Sequence, residues 1–290
     1  MRLIDSYFSA TANRTLYHYT GVGSLMGIAN AKSIWASNVY YMNDSKEIVH
    51  ACDILKKVLL PRIAFGVIDS PENVFLKQLQ DWIDSCRTTI YNIFVFSLSE
   101  EPSLLSQWRS YTPHGKGVSV GFSDHLLSSI AQDSDLRIAK CIYNLEEQRE
   151  LLGSLIEELL VKFRQKQTTI DTSNSHPSQC YHPFLEEFRG DVLQVLSVIK
   201  HHAFEEEREW RLISNYFPKY TIPSIKFREG ASMLIPYIEI NLGENKPYFQ
   251  QVVLGPSPHQ NLSMSALSMF LSNQNLCEKT SNCAIPYREW

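Results

Sequence analysis

Two short segments, far apart in the chain, carry the residues best suited to chemistry. Residues 16–20 read Leu-Tyr-His-Tyr-Thr, and residues 207–211 read Glu-Arg-Glu-Trp-Arg. Side chains alternate between the two faces of a strand, so Glu207 and Glu209 are predicted to share one face. His18 lies in a β-type run that leads into a turn, which suits a side chain presented into a cleft. An imidazole and a strand-borne carboxylate can together hold and polarise a sugar hydroxyl, so we expect chemistry on a nucleotide ribose.

The same residues also have a purely structural interpretation. A lone histidine in a strand is more often a hydrogen-bonded structural residue, and charge runs are usually solvated. Two neighbouring carboxylates raise the pKa of one of them unless a cation is close, and Arg208 or Arg211 can supply that cation. An ion-pair ladder without a catalytic role is therefore the competing interpretation of Glu207 and Glu209.

Aromatic and polar side chains elsewhere are further candidates for ligand binding. Trp108 and Tyr111 precede a glycine-containing turn and could stack on a planar ring such as nicotinamide or adenine, although core packing is the commoner role of such a tryptophan. Ser97 and Ser99 share a face at the end of a β-type run, where serines commonly form turns. Asn43, beside a predicted helix cap, could point into the cleft near His18.

Composition and motifs exclude several classes of function. The net charge is −4, so no overall basic field attracts nucleic acid. The six cysteines lack the paired spacing of a zinc site or a disulfide framework, and we expect no metal. The glycines match neither a P-loop nor a Rossmann fingerprint, and no serine-hydrolase elbow is present. His201 and His202 are adjacent on the chain and point in different directions, which disfavours a shared ion.

The order of predicted elements indicates an α+β fold. Short strands occur near both ends of the sequence and are interrupted by amphipathic helices. We expect one domain over residues 1–290, with a helical insertion at about 146–200 that holds two long helices, at about 146–166 and 183–200. A capping box at 44–47 begins one helix, and Pro61 is predicted to end it. Ser70 and Pro71 are predicted to begin the next helix. Neither a signal peptide nor an apolar run of about 18 residues is found, so a cytoplasmic protein without membrane association is expected.

Several blocks in order resemble one protein family. Residues 16–20, 35–37 and 42–44, a central block from Phe96 to Phe122, and the segment 204–211 resemble the bacterial domain-of-unknown-function family 2971. The first block is also similar to the histidine-containing first strand of the ADP-ribosyltransferase superfamily. That second resemblance implies a split, mixed or antiparallel sheet.

The superfamily resemblance also implies roles for particular residues. His18 would contact a ribose hydroxyl of NAD, the substrate. Glu209 would stabilise the oxocarbenium-like transition state, and Glu207 would orient the acceptor. Tyr19, with Trp108 or Tyr111, would sandwich the nicotinamide.

The remaining position of the superfamily's catalytic triad stays open. It is filled there by a tyrosine or a serine, and Tyr41, Tyr111, Ser97 and Ser99 all compete for it in this chain. The resemblance therefore does not assign a residue to this position.

The expected activity is therefore cleavage of the nicotinamide–ribose bond of NAD. ADP-ribose would pass to a protein or nucleic acid, or to water in a glycohydrolase reaction. The biological setting implied by the family analogy is a bacterial toxin or phage-defence effector, with an inhibitor or antitoxin as partner. The alternative is a catalytically inactive nucleotide- or protein-binding module on the same fold. A phosphodiesterase or nuclease using His18 with other histidines has less support, because no second histidine motif or basic stripe accompanies it.

Overall fold

The strands form one mixed sheet within the part of the chain that the structure, a computed structural model, describes: residues 4–8, 12–42, 46–113, 116–167, 176–219 and 222–285. The strands are β1 (Leu16–Thr20), β2 (Ser33–Asn38), β3 (Phe94–Ser99), β4 (Val118–Phe122), β5 (Arg137–Lys140), β6 (Glu209–Ile213), β7 (Ile225–Glu229), β8 (Leu234–Asn241), β9 (Phe249–Leu254) and β10 (Cys277–Asn282).

The strand order places β3 at the centre of the sheet. The main path runs β10-β9-β4-β1-β3-β2-β8-β7, and β6 pairs with β3 while β5 pairs with β6. β9 and β10 run parallel, and the other pairings between the named strands are antiparallel. The prediction of an α+β fold with a mixed sheet is confirmed.

Helices cover both faces of this sheet. They are α1 (Asp5–Phe8), α2 (Val22–Ala31), α3 (Glu47–Phe65), α4 (Pro71–Thr88), α5 (Leu105–Tyr111), α6 (Asp124–Asp133), α7 (Leu145–Lys166), α8 (Pro177–Glu187), α9 (Arg189–Leu196) and α10 (Gln260–Asn273), with 3₁₀ turns at Val39–Tyr41 and His202–Glu207. No helix of the described segments is both long enough and apolar enough to cross a bilayer.

The two largest hydrophobic cores of the described residues lie on opposite faces of the sheet. One is formed by α3, α4, α7, α8 and α9 and reaches the sheet through Val95 of β3 and Ile213 of β6. The other is formed by α2, α6 and α10 against Phe96 and Leu98 of β3 and their neighbours. Phe94, Val95 and Phe96 of β3 therefore alternate between the two cores, which explains why consecutive residues of this strand are apolar.

The helical segments differ from the prediction in three places. Pro61 lies inside α3, which continues to Phe65. A proline removes one backbone hydrogen bond of a helix. Ile63, in the part of α3 after Pro61, packs on the hydrophobic core, and this contact favours the continued helix. The predicted helix over 183–200 is two helices, α8 and α9. Helix α6 is absent from the prediction. Ser123 is its N-cap, and the Oγ of Ser123 accepts a hydrogen bond from the Leu126 amide.

The predicted helical insertion belongs to a larger layer. Helix α7 packs on α3, and α8 packs on α4. The segment 146–200 therefore extends a helical layer that begins much earlier in the chain. The predicted capping box at 44–47 includes residues outside the described part of the structure.

Candidate functional site

The sheet divides at β3, and this division creates the candidate site. β6 pairs along one edge of β3. The other edge is shared: Tyr17 of β1 lies opposite Ser99, and Ser37 of β2 lies opposite Val95. Residues 96–98 lie between these two pairings. We call this point, where β1 and β2 separate along the edge of β3, the fork.

His18 on β1 lies at the fork. Its Nδ1 is 3.0 Å from the carbonyl oxygen of Ser97, and its ring centroid is 4.4 Å from that of Phe96. A carbonyl only accepts hydrogen bonds, so Nδ1 carries the proton and Nε2 is left as an acceptor. Burial lowers the pKa of His18, and the hydrogen bond to Ser97 opposes this only in part. The imidazole is therefore neutral at pH 7 and suited to accept a hydrogen bond from a hydroxyl.

A buried ion cluster lies beside the fork. Lys200 Nζ is 2.5 Å from Glu209 Oε2, and it also contacts Glu207 Oε2. Glu209 Oε1 accepts a 2.7 Å hydrogen bond from Arg211 Nε. Burial raises the pKa of Glu209, but Arg211 and Lys200 more than reverse this effect, so the pKa lies well below the usual carboxylate range. Glu209 is therefore ionised, with both oxygens engaged by cations.

Arg211 connects this cluster to helix α3. Its guanidinium contacts both carboxylate oxygens of Glu47, and its side chain is only 1% exposed. Burial raises the pKa of Glu47, and Arg211 opposes this effect in part. Buried charges are costly unless they are paired. The pairing therefore holds several carboxylates close to the fork.

Glu207 has different surroundings from Glu209. It ends the 3₁₀ turn before β6, and Arg208 follows it with a left-handed φ of 43°. The prediction that Glu207 and Glu209 share one strand face is therefore wrong, and Lys200 is what brings their carboxylates together. Glu207 Oε1 accepts a 3.1 Å hydrogen bond from the Tyr111 hydroxyl. Burial and the nearby Glu207 raise the pKa of Tyr111, so its phenol stays protonated.

The two serines of β3 have opposite hydrogen-bonding states. Ser99 Oγ donates a 2.7 Å hydrogen bond to the Glu207 carbonyl and accepts one from the Glu101 amide. Ser97 Oγ is buried and has no hydrogen-bond partner among the described residues. Most buried hydroxyls are satisfied, so the Ser97 hydroxyl is an exception, and its residue lies in the wall of the cavity described next.

A cavity of about 290 Å³ occupies the fork. This volume is close to the lower limit of the range of roughly 300–1,000 Å³ found for ligand pockets. The structure brings most of the residues proposed from the sequence into its wall, namely His18, Tyr19, Ser97, Tyr111, Glu207 and Glu209.

The predicted ligand contacts of three residues do not follow from the structure. Trp108 is fully buried, packs edge-on against Tyr19 and donates to Ser103 Oγ, so its prediction as a ligand-stacking residue is wrong. Tyr19 is itself only 4% exposed, and its hydroxyl donates to the Glu101 carbonyl. It therefore offers little ring surface to a ligand. Asn43 lies outside the described residues.

Sequence reasoning missed the residues that complete the site. Lys200 follows the apolar run 195–199, and a lysine there could have indicated a buried, paired cation. Glu47 gave no signal beyond helix capping. Trp35 and Arg228 also line the cavity, from β2 and β7. Only the pairing of β2 with β8 and of β8 with β7 brings these two onto one face.

The fold and site together define an α+β protein with a charged pocket at a division of its sheet. Residues 107–212 match the model of a family described as "Protein of unknown function (DUF2971)". This segment contains Tyr111, Lys200, Glu207 and Glu209, and it covers somewhat more than a third of the chain. The chain is thus similar to an uncharacterised family over the segment that carries Lys200, Glu207, Glu209 and Arg211 of the ion cluster. No curated protein and no solved structure matches the chain.

Proposed function

We propose that this protein is an ADP-ribosyltransferase-like enzyme that cleaves the nicotinamide–ribose bond of NAD and transfers ADP-ribose to a macromolecule. One observation carries the proposal: a neutral imidazole, a tyrosine hydroxyl and a carboxylate pair from three separate segments line one cavity at the fork. These are His18, Tyr111, Glu207 and Glu209.

The pocket has the groups that a ribose and a departing nicotinamide require. The Nε2 atom of His18 and the unpartnered hydroxyl of Ser97 can each bond to a sugar hydroxyl. The carboxylate of Glu207, in the wall of the cavity, favours the positive charge that develops on the ribose. The cavity volume of about 290 Å³ accommodates a nicotinamide-riboside portion more readily than a complete dinucleotide.

Glu207 is better placed than Glu209 to face the ribose. Its side chain is 11% exposed, against 5% for Glu209. The charge of Glu209 is offset by two cations, whereas Glu207 shares only Lys200 and the neutral Tyr111. We therefore assign the transition-state contact to Glu207 and a positioning role to Glu209. The family resemblance implied the opposite, with Glu209 at the transition state and Glu207 orienting the acceptor.

The proposed step balances as a glycosyl transfer. The bond between ribose C1′ and the pyridinium nitrogen breaks, and its electron pair leaves with nicotinamide, which becomes neutral. A nucleophile of the acceptor then bonds to C1′ and loses its proton. His18 and Ser97 hold the ribose hydroxyls, while Glu207 stabilises the oxocarbenium-like state.

Nicotinamide release from NAD tests the proposal, measured with purified protein and cell lysate as the source of acceptor. We expect release by the wild type and a loss on the order of 10³-fold in Glu207→Gln, since one well-placed electrostatic contact is worth about that much. Glu206→Gln is the matched control, because Glu206 is exposed in the same segment. Glu207→Gln activity within a few-fold of the wild type would refute the assignment of Glu207.

A binding module without catalysis is the second candidate. It is favoured by the complete pairing of Glu209, which resembles a structural ion-pair ladder. In that case NAD raises the melting temperature of the wild type and of Glu207→Gln alike, and neither protein releases nicotinamide. No release and no thermal shift would contradict both candidates.

A further inference from the structure

The wall of the pocket opposite β1 across the fork carries a second group of ligand-type residues. On β2, Trp35 and Ser37 lie opposite Glu239 and Tyr237 of β8. On β7, Arg228 lies opposite Ile235 of β8. Side chains paired across neighbouring strands point to the same face of the sheet. This face, defined by Trp35, Ser37, Tyr237 and Arg228, is called the β2–β8–β7 platform.

Trp35 presents an aromatic surface on the platform. It is 45% exposed, and it lines the cavity at the fork. Its other side is supported by Tyr237, with ring centroids 4.3 Å apart and planes inclined by 27°. A large apolar ring that is held by a stacked partner and still open to the cavity is suited to stack on a planar base.

Arg228 supplies a cation to the same wall. It is the one lysine or arginine among the described residues that line the cavity. Its Nη2 donates a 3.3 Å hydrogen bond to Ser37 Oγ, and no carboxylate of the described residues lies within ion-pair distance. The neighbouring Lys226 is paired with Glu239 at 2.7 Å. A half-buried guanidinium without an anionic partner can bind a phosphate.

We propose that the β2–β8–β7 platform binds the adenosine-diphosphate half of a dinucleotide, with Arg228 and Ser37 at the phosphates and Trp35 under the base. The identification of the dinucleotide as NAD rests on the proposed function. The binding of an adenine nucleotide does not, because the stacking ring and the unpaired guanidinium are independent of the catalytic carboxylates.

Calorimetric titration with ADP, a probe that lacks nicotinamide and its ribose, tests the platform directly. We expect the Kd of Arg228→Gln for ADP to rise about 10- to 100-fold, because charge-assisted hydrogen bonds to phosphate are lost. Arg228→Lys, which keeps the charge but not the planar fork of donors, should recover part of the affinity. Trp35→Ala should raise the Kd about tenfold through loss of stacking.

Matched controls separate these effects from general changes in charge and surface. Lys226→Gln removes one positive charge from the same strand and face but not from the cavity wall. Phe227→Ala removes an exposed ring from β7, on the opposite face, where Phe227 pairs with Pro236. Both controls should bind ADP as the wild type does, and the melting temperature of each variant reports whether it folds.

The outcomes distinguish failure of the platform from failure of the proposed enzyme. Wild-type binding of ADP that Arg228→Gln weakens supports the platform, even where no nicotinamide is released from NAD. Equal ADP affinity of folded Arg228→Gln, Lys226→Gln and wild type overturns the platform, even where NAD is cleaved. Absence of wild-type ADP binding at millimolar concentration also overturns it.

Discussion

The Nδ1 atom of His18 lies 3.0 Å from the carbonyl oxygen of Ser97, where β1 and β2 separate along the edge of β3. The contact ties the imidazole to a strand edge that is shared between two neighbours. It also fixes the tautomer, because a carbonyl requires a donor. The orientation of His18 is therefore set by the architecture of the sheet before any ligand binds.

This arrangement predicts an unusual titration of His18. We expect a pKa below 6.5 in the folded chain and a proton on Nδ1, both measurable by nitrogen NMR of the imidazole ring. In the unfolded chain the pKa returns to about 6.5. Between the two values the unfolded chain binds more protons, so the free energy of unfolding decreases as the pH is lowered below about 6.5.

The control for His18 is another histidine. His18→Asn should flatten the decrease of the unfolding free energy between pH 7.5 and 5.5, whereas His125→Asn, at an exposed position of α6, should leave it unchanged. A His18 pKa above 6.5, or a proton on Nε2, would contradict the proposed tautomer.

The ion cluster predicts that Glu209 contributes strongly to stability. Glu209→Gln removes charge-assisted contacts from Lys200 and Arg211, which keep Glu207 and Glu47 as partners, so we expect a loss of about 1.5–3 kcal/mol. Glu206→Gln should change the free energy of unfolding by less than about 0.5 kcal/mol, because that side chain is exposed. Urea titration of the three proteins at pH 7 measures both values, and a Glu209→Gln effect as small as that of the control contradicts the network.

Acid should abolish the contribution of Glu209. Its folded pKa lies well below the ordinary 4.5, so the unfolded chain takes up the proton first as the pH falls. The stabilisation is complete above pH 4.5 and is lost as the pH falls towards the folded value. The free energy of unfolding of the wild type should therefore decrease more steeply below pH 4.5 than that of Glu209→Gln. Parallel curves would show that Glu209 is not held ionised by its partners.

Local patterns predicted the elements that present the site better than the site itself. The β-type run around His18 became β1, and the Ser70 cap and Pro71 correctly marked the start of α4. The alternation of Glu209 and Arg211 correctly indicated an ion pair on β6. Each of these features depends on residues that are neighbours in the sequence.

The remaining features depend on contacts between distant segments. Tyr17 pairs with Ser99, and Ser37 pairs with Val95, so the fork depends on strands that local patterns cannot align. Glu47 reaches Arg211 across 164 positions. Trp108 looked like a ligand-binding ring because composition does not show which core it enters. A sequence pattern thus identified candidate groups but not which of them face the cavity.

Close packing around Gly117, in the turn before β4, gives a prediction about stability. A Cβ at Gly117 would lie 2.3 Å from the carbonyl oxygen of Thr20, so Gly117→Ala must displace backbone at the end of β1. We expect a loss of about 1–3 kcal/mol, as for other overpacked sites. Gly27→Ala is the control: it lies in α2 with open space around it and should stabilise the protein by about 0.5–1 kcal/mol. Equal effects in thermal unfolding would contradict the close approach.

The serine pair of β3 gives a prediction in which stability and function change in opposite directions. Ser97→Ala removes a buried hydroxyl that has no partner among the described residues, so we expect the free energy of unfolding to rise by about 1 kcal/mol. Ser99→Ala removes the donor to the Glu207 carbonyl and should lower it by about 1–2 kcal/mol. If Ser97 binds the ribose, Ser97→Ala should nevertheless weaken NAD binding about tenfold, the loss expected for one hydrogen bond to a ligand. Urea titration and calorimetry measure the two effects separately, and a Ser97→Ala protein that is less stable than the wild type would show that the hydroxyl has a structural partner after all.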